Sequence, residues 1–574
     1  MSQLAAKALA NRAILLKFLL IPAFIIITNF GFTDRIEHLI LKDRWVTLVA
    51  FVFVWALAII SVFVAALQPR WLGRLFWATV LAVSSTCAMC YYQISGSEFT
   101  VFDVVSLWNA RLEAGRATDF YGPQLITTAA IVFTAGLLII GFPAPLKSAK
   151  ARVWVKRLVL LPLLPFAAIA FIVGTKGGNG YQAMPKQFAP IAITAVTAQK
   201  IATQESHVRG SVAWAANSQQ RVKNVLLLVD ESIRADYLDF TAGNPFTPEL
   251  AKLKSNFVDF GPAASAGNCS HYSNFMLRSA ARRNDLIASV NTSPFIWSYA
   301  KKAGYRTVFI DAQGAILKDP GKLTNFMTIT EMRGIDRYVS LNYVSTEQAD
   351  FELLRIIKEE LKGDQPVFLY ANKNGAHFPY DAAYPKDRAE FGPTVTESGS
   401  DDAQFRIASY RNAVAWSVDQ FFARFFKDID LSNLAVVYTS DHGQALGRGT
   451  LTHCSIENPD SRQGLVPLLT YTSDPALRAW LATGAQSGQG RASHFTIIPA
   501  ILEMMGYGAS DIAGYYGESL FTAPIGPPAF TSGDIFGLFS NEVLWHPIDL
   551  ARDYREPESL KLHRNSPLTA SVSP

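Results

Sequence analysis

The hydrophobic pattern changes character once along the chain, near residue 222. Before that point apolar residues come in long unbroken runs, at 13–32, 45–67, 75–92, 125–142 and 158–174. Roughly 20 residues suffice to cross a bilayer, so these five stretches predict a transmembrane domain of five helices over residues 1–174. No small-residue cleavage site followed by a polar start is present, so the first stretch reads as a retained helix rather than a signal peptide. Lys7, Arg12 and Lys17 flank it, Arg70 and Arg74 follow the second, and Lys147, Lys150, Arg152, Lys156 and Arg157 precede the fifth. The positive-inside rule therefore predicts a cytoplasmic N-terminus and, with an odd number of spans, an exported remainder. In a bacterium with two membranes that is a multi-pass inner-membrane protein with its large domain in the periplasm.

From Lys223 the period shortens. VLLLVD (225–230), TVFIDA (307–312), PVFLYANK (366–373) and LAVVYTSD (434–441) read as buried strands. Helical patterns such as FELLRIIKEELKG (351–363) and WSVDQFFARFFKDID (416–430) lie between them. Strand–helix–strand order predicts an α/β domain with a mainly parallel sheet over 222–545. Residues 175–221 are turn-rich at KGGNGYQAMPK and mildly amphipathic afterwards, which predicts a partly helical connector on the membrane surface; a solvated linker is the alternative. Residues 546–574 read as a polar, irregular tail.

Half the residues are apolar, only 17% are charged, and mean hydropathy is +0.16, as membrane spans require. The net charge of +5 is too small to predict nucleic-acid binding. Four cysteines, at 87, 90, 269 and 454, make no zinc-finger spacing. Cys87 and Cys90 fall inside the third apolar stretch and read as packing residues.

Chemistry concentrates at strand ends, where parallel sheets bind ligands. Asp230 and Glu231 close the first strand; either could ligate a metal while its neighbour caps the next helix. SAGNCSHYSNFM (265–276) is a small-residue turn offering Cys269 and Ser270 as nucleophiles. ANKNGAHFPY (371–380) carries His377, either a substrate ligand or a loop histidine packed on Phe378 and Tyr380. SDHGQALGRGTLTHC (440–454) carries Asp441, His442 and His453, and an adjacent Asp-His pair ending a buried strand is hard to explain as packing. His494 reads equally as a member of the site or a helix cap.

Taken in this order, these clusters resemble the membrane-anchored phosphoethanolamine transferases, in the sulfatase-like branch of the alkaline phosphatase superfamily. VDESIRADYL is similar to that family's Gly-Glu-Thr-x-Arg-Ala-Asp segment, SDHGQALG to its Ser-Asp-His-Gly-Glu-Ser-Leu-Gly, and NGAHFPY to its Gly-Ser/Asn-His-Gly-Pro. The resemblance implies Zn2+, one or two ions with Mn2+ as an alternative, held by Glu231, Asp441, His442 and Asp230. It implies substrate binding by His377 and His453. The implied reaction moves phosphoethanolamine, or phosphoglycerol, from phosphatidylethanolamine or phosphatidylglycerol to a lipopolysaccharide or periplasmic glycan acceptor through a covalent enzyme intermediate. The family's nucleophile is a threonine. Alignment on Met276 puts Cys269 in its place, and alignment to lipoteichoic-acid-synthase-like relatives puts Ser270 there. The Cys-x-Pro-x-Arg of true sulfatases is absent, as are the transferases' usual disulfides. Only Cys269 and Cys454 lie in the exported domain, and a bond between them would remove Cys269 from catalysis. The competing readings are a membrane-tethered sulfatase or phosphodiesterase and a catalytically degenerate binding protein.

Overall fold

The computed structural model describes residues 3–110, 114–204, 207–216, 220–313, 325–447, 451–456, 458–522, 524 and 526–550. The chain divides into two compact units, one running to residue 205 and including 538–541, the other holding most of the rest.

The first unit is helical. Gln3–Thr28 turns at Gly31, whose φ of 73° suits glycine, into Phe32–Leu41, and Arg12–Thr28 and Phe32–Leu41 lie 66° apart. Trp45–Ala66, Trp71–Ser95 and Tyr121–Gly141 are long and apolar enough to cross a membrane. Among the described residues that makes three candidate spans, or four if the bent pair is one span, against the five expected. The shortfall lies in the fifth stretch. Its helix, Leu163–Thr175, has only 13 residues, because Pro162 and Pro165 lack amide hydrogens and are tolerated only before or within its first turn. Apolar side chains point outward all round the unit, with Val46 87%, Ile27 73% and Phe171 70% exposed, as lipid contact requires. The expected connector is in part the helix Ala189–Thr203, which adds Ala192, Ile193 and Val196 to this unit's core.

The second unit is built on a mixed sheet. Its strands are β1 (Asn224–Asp230), β2 (Val258–Ala264), β3 (Arg306–Asp311), β4 (Arg337–Ser340), β5 (Val367–Asn372), β6 (Leu434–Ser440) and β7 (Leu465–Thr472). Their order among the described residues is β2-β7-β6-β1-β5-β3-β4, parallel from β6 through β4, with β7 and β2 antiparallel at one end. Every residue of β1 is buried. Val225, Leu227 and Val229 enter one core and Leu226 and Leu228 the other, which is why its sequence is continuously apolar. A short antiparallel pair, β8 (Ala529–Ser532) and β9 (Leu544–Pro547), closes the described chain. Strand β9 crosses the boundary expected at 545, and residues 551–574 of the expected tail lie outside the described residues.

Candidate metal centre and nucleophile

Strands β1 and β6 are paired in register, Asp230 opposite Ser440, so both chains leave the sheet at the same level. The Asp441 amide donates to Asp230 O at 2.8 Å, and the Ser232 amide donates to Asp441 Oδ1 at 3.0 Å. Ser232 takes a φ of 65°, and its hydroxyl donates to Glu231 Oε1 at 2.6 Å. The tight turn after β1 is thereby pinned to the end of β6. Gly375 shows how closely a third strand end approaches: a Cβ there would lie 2.3 Å from Asp230 Oδ1 and 2.5 Å from Glu231 O. With its φ of 53°, that position excludes other residues.

Glu231, Asp441 and His442 converge, each fully or almost fully buried, with one ligand atom apiece inside 4.8 Å of the others. His442 Nε2 lies 3.3 Å from Glu231 Oε1. Its Nδ1 is 2.7 Å from Gly443 O, so Nδ1–H donates there and Nε2 faces the carboxylates as a ligand atom. Two carboxylates and an oriented imidazole are a donor set that fits a zinc ion with an open position. Without an ion the three groups share protons. Burial opposes the charge on His442, yet Asp441 and Glu231 raise it to about 9. Burial, with the Glu231 carboxylate beside it, pushes Asp441 well above the usual carboxylate range. Burial acts on Glu231 in the same sense, but contact with His442 outweighs it and holds Glu231 low.

Ser270 is the first residue of the helix Ser270–Arg278, and Cys269 caps it. Its Oγ lies 3.0 Å from His442 Nε2 and 3.2 Å from Glu231 Oε1, within the same cluster. Cys269 does not share that position. Its sulfur is bonded to Cys454, so it has no thiolate to offer, and of the two nucleophiles expected Ser270 is the one whose side chain lies in the cluster.

Asp230, the other residue expected to ligate, points elsewhere. Its carboxylate turns from the cluster to Lys373 Nζ at 2.5 Å and accepts from the Tyr438 hydroxyl at 3.0 Å, all buried. Lys373 also donates to Ser417 O, which a π-helical turn at Ala415–Gln420 presents. Asp230 thus sits in a buried ion pair beside the group formed by Glu231, Asp441 and His442. Replacing Lys373 with Met leaves a buried carboxylate unpaired and is expected to cost about 3–5 kcal/mol. A thermal melt of the detergent-solubilised protein checks this; an unchanged midpoint contradicts it.

His453 stacks on His442, ring centroids 4.7 Å apart and planes 14° from parallel. Burial and the His442 charge push it well below the ordinary histidine range, which favours its neutral form. His377 Nδ1 lies 2.6 Å from Phe378 O, and His377 is close enough to contribute to the lowering of both Glu231 and His453. His494 does not join the cluster. Its Nδ1 accepts from the Ala266 amide at 3.1 Å and its Nε2 lies 3.2 Å from Thr439 Oγ1, which makes it a brace between loop and strand.

Two supporting residues escaped the sequence reading. Gln313 Nε2 donates to Glu231 Oε2 at 2.6 Å, and Asn274 Nδ2 donates to Asp441 Oδ2 at 3.3 Å. Gln313 follows β3, so the rule that singled out the other strand ends points to it as well. Residues that orient metal ligands typically alter affinity about 10–100-fold. Gln313→Ala is expected to weaken zinc binding by that factor, read by competition with a chromophoric chelator; unchanged affinity removes Gln313 from the site.

Residues 223–507 match the Sulfatase family. Two curated relatives are both named phosphoethanolamine transferase EptC. That of Escherichia coli O18:K1:H7 is 23% identical over 81% of this chain and 82% of its own length. That of Escherichia coli K12 is 22% identical over the same shares. Among solved structures, the integral membrane protein lipooligosaccharide phosphoethanolamine transferase A (EptA) from Neisseria meningitidis superposes with a TM-score of 0.59. It is 16% identical, and the superposition covers 87% of this chain and 96% of that one. The Sulfatase match, the apolar helices before it and the order of the strand-end clusters agree with one another: along most of its length this chain is similar to the phosphoethanolamine transferases EptC and EptA, and it shares the fold of EptA.

Proposed function

We propose that the protein transfers phosphoethanolamine from phosphatidylethanolamine to lipopolysaccharide in a zinc-dependent reaction, with Ser270 as nucleophile. The observation that carries this reading is the Ser270 hydroxyl, within hydrogen-bond reach of both Glu231 and His442 at the start of a helix. The names of the EptC and EptA relatives supply the group transferred. Phosphatidylglycerol and a periplasmic glycan are the second choices of donor and acceptor.

A zinc ion on Glu231, Asp441 and His442 supplies the positive charge that acidifies a hydroxyl and neutralises phosphate oxygens. The chain's own groups do the rest. Ser270 Oγ attacks phosphorus, an Oγ–P bond forms and the P–O bond to diacylglycerol breaks. The helix beginning at Ser270 points its N-terminal amides at the phosphate. His453, held neutral by burial beside His442, or His377 moves the proton between Ser270, the leaving oxygen and later the acceptor hydroxyl. The acceptor oxygen then attacks phosphorus in line with the Oγ–P bond, from the side diacylglycerol has left, and that bond breaks to restore the serine.

The topology accords with that donor. Reading the turn at 158–162 with Leu163–Thr175 as the fifth span puts the second unit in the periplasm. A phospholipid then reaches the site from the outer leaflet of the inner membrane. The test uses phosphatidylethanolamine with a fluorescent acyl chain, zinc and lipopolysaccharide. Diacylglycerol release accompanied by phosphoethanolamine on the lipopolysaccharide is expected. Release at the same rate without any acceptor makes the protein a phosphodiesterase, and release only from phosphatidylglycerol replaces the donor.

A further inference from the structure

The disulfide that removes Cys269 from catalysis joins two functional segments. Cys269 immediately precedes Ser270, and Cys454 immediately follows His453. The same segments are also joined without it. The Cys454 amide donates to Asn268 O at 2.8 Å, and Asn268 Nδ2 donates to Ser455 O at 2.7 Å and to Gln463 Oε1 at 2.8 Å. Breaking the sulfur–sulfur bond therefore leaves both cysteines facing each other on a scaffold that other bonds hold in place.

A third ligand is already there. His271, about nine-tenths buried, has a ring nitrogen within 4.8 Å of both sulfurs. Its ring is steadied by Tyr272, 4.2 Å away between centroids, and by Phe326, 5.1 Å away. Two thiolates and an imidazole are the donor set that zinc and other soft or borderline cations prefer over carboxylate sites. Like the ligand atoms of the Glu231–Asp441–His442 cluster these lie within 4.8 Å of one another, yet none of the three residues belongs to that cluster.

We propose that Cys269, His271 and Cys454 form a second metal site, closed while the sulfurs are bonded to each other and open to one zinc-like cation after reduction. A dithiol supplies two electrons and two protons, breaks the Cys269–Cys454 bond and closes to its own disulfide. The cation then displaces the two thiol protons to solvent and binds Cys269 Sγ, Cys454 Sγ and a ring nitrogen of His271. It ties the two segments together as the disulfide did, its two charges balanced by the two thiolates, and so keeps Ser270 where the disulfide held it. Only that last consequence for transfer rests on Ser270 being the nucleophile.

Cobalt(II) is the probe, because thiolate ligation gives it a near-ultraviolet charge-transfer band that carboxylate and imidazole ligands do not. The full-length protein in detergent is titrated anaerobically with Co2+, before and after reduction by a trialkylphosphine, itself oxidised to the phosphine oxide. The band is expected only after reduction. It is expected to persist in Asp441→Asn, to disappear in the Cys269→Ser/Cys454→Ser variant, and to shift or weaken in His271→Ala. A reduced protein without the band overturns the proposal. So does a band that survives in the double-serine variant, which would place the thiolates at Cys87 and Cys90, or one that His271→Ala leaves unchanged. Asp441→Asn separates this site from the catalytic one, so failure of either reading is visible alone.

Discussion

Ser270→Ala is expected to lower the transfer rate at least about 1,000-fold, the scale on which loss of a covalent nucleophile is felt, with zinc content nearly unchanged. The side chain removed is small, and Ser270 contributes a hydroxyl beside the cluster rather than one of the three ligands. Fold and metal site therefore survive while the atom proposed to bond phosphorus is gone. Ser270→Thr keeps that atom and is expected to keep measurable activity. Cys269→Ser gives the complementary result: because its sulfur is occupied by Cys454, losing it leaves the nucleophile in place. Equal losses in Ser270→Ala and Cys269→Ser would mean that the turn as a whole, and not one hydroxyl, is what the reaction needs.

Loss of the metal is expected to be as severe. Asp441→Asn removes one of the two carboxylates proposed to hold the ion, and activity is expected to fall about 1,000-fold or more, since a bound ion supplies several kcal/mol of transition-state stabilisation. Chelation of the wild-type protein should reproduce the loss, and added zinc should restore the wild type but not the variant. The metal-free state also carries a pH signature. In it His442 is raised above its ordinary value of 6.5 to about 9 by Asp441 and Glu231, against the opposing effect of burial. A folded value above the unfolded one contributes stability that is fully present below pH 6.5 and disappears as pH rises through 9. The chelated protein should therefore lose thermal stability between pH 6.5 and 9. The zinc-loaded protein, whose His442 is neutral and bound, should not lose it over that interval, and zinc uptake below pH 9 should release a proton. Parallel melting profiles for the two forms would show that the three residues do not hold the ion.

How much of this could be read from the chain depends on where each signal is stored. β1, β3, β5 and β6 are buried on both faces, so each is a continuous apolar run that stands out by composition alone. β2 and β7 were not visible in that way. Pro262 and Pro467 lie opposite each other in the antiparallel pair, next to a register shift at Asp259/Pro262, and a proline inside a run argues against a strand unless a bulge accommodates it. The metal cluster was readable because acidic and imidazole groups at the ends of buried strands have few other uses. The choice between Cys269 and Ser270 was not, because it depends on which sulfur Cys269 meets, and Cys454 is 185 residues away. The setting of Asp230 was hidden for a similar reason. Its partner, Lys373, comes from another strand end and looks in sequence like an ordinary loop lysine.

The central claim is a covalent phosphoethanolamine intermediate on Ser270, and mass spectrometry of the peptide spanning residues 265–276 tests it most directly. The protein is incubated with zinc and phosphatidylethanolamine, without acceptor, quenched in acid and digested. A phosphoethanolamine adduct on Ser270, absent from Ser270→Ala and absent after chelation, is the predicted result. Diacylglycerol release with that peptide unmodified, or an adduct on any other residue, contradicts it.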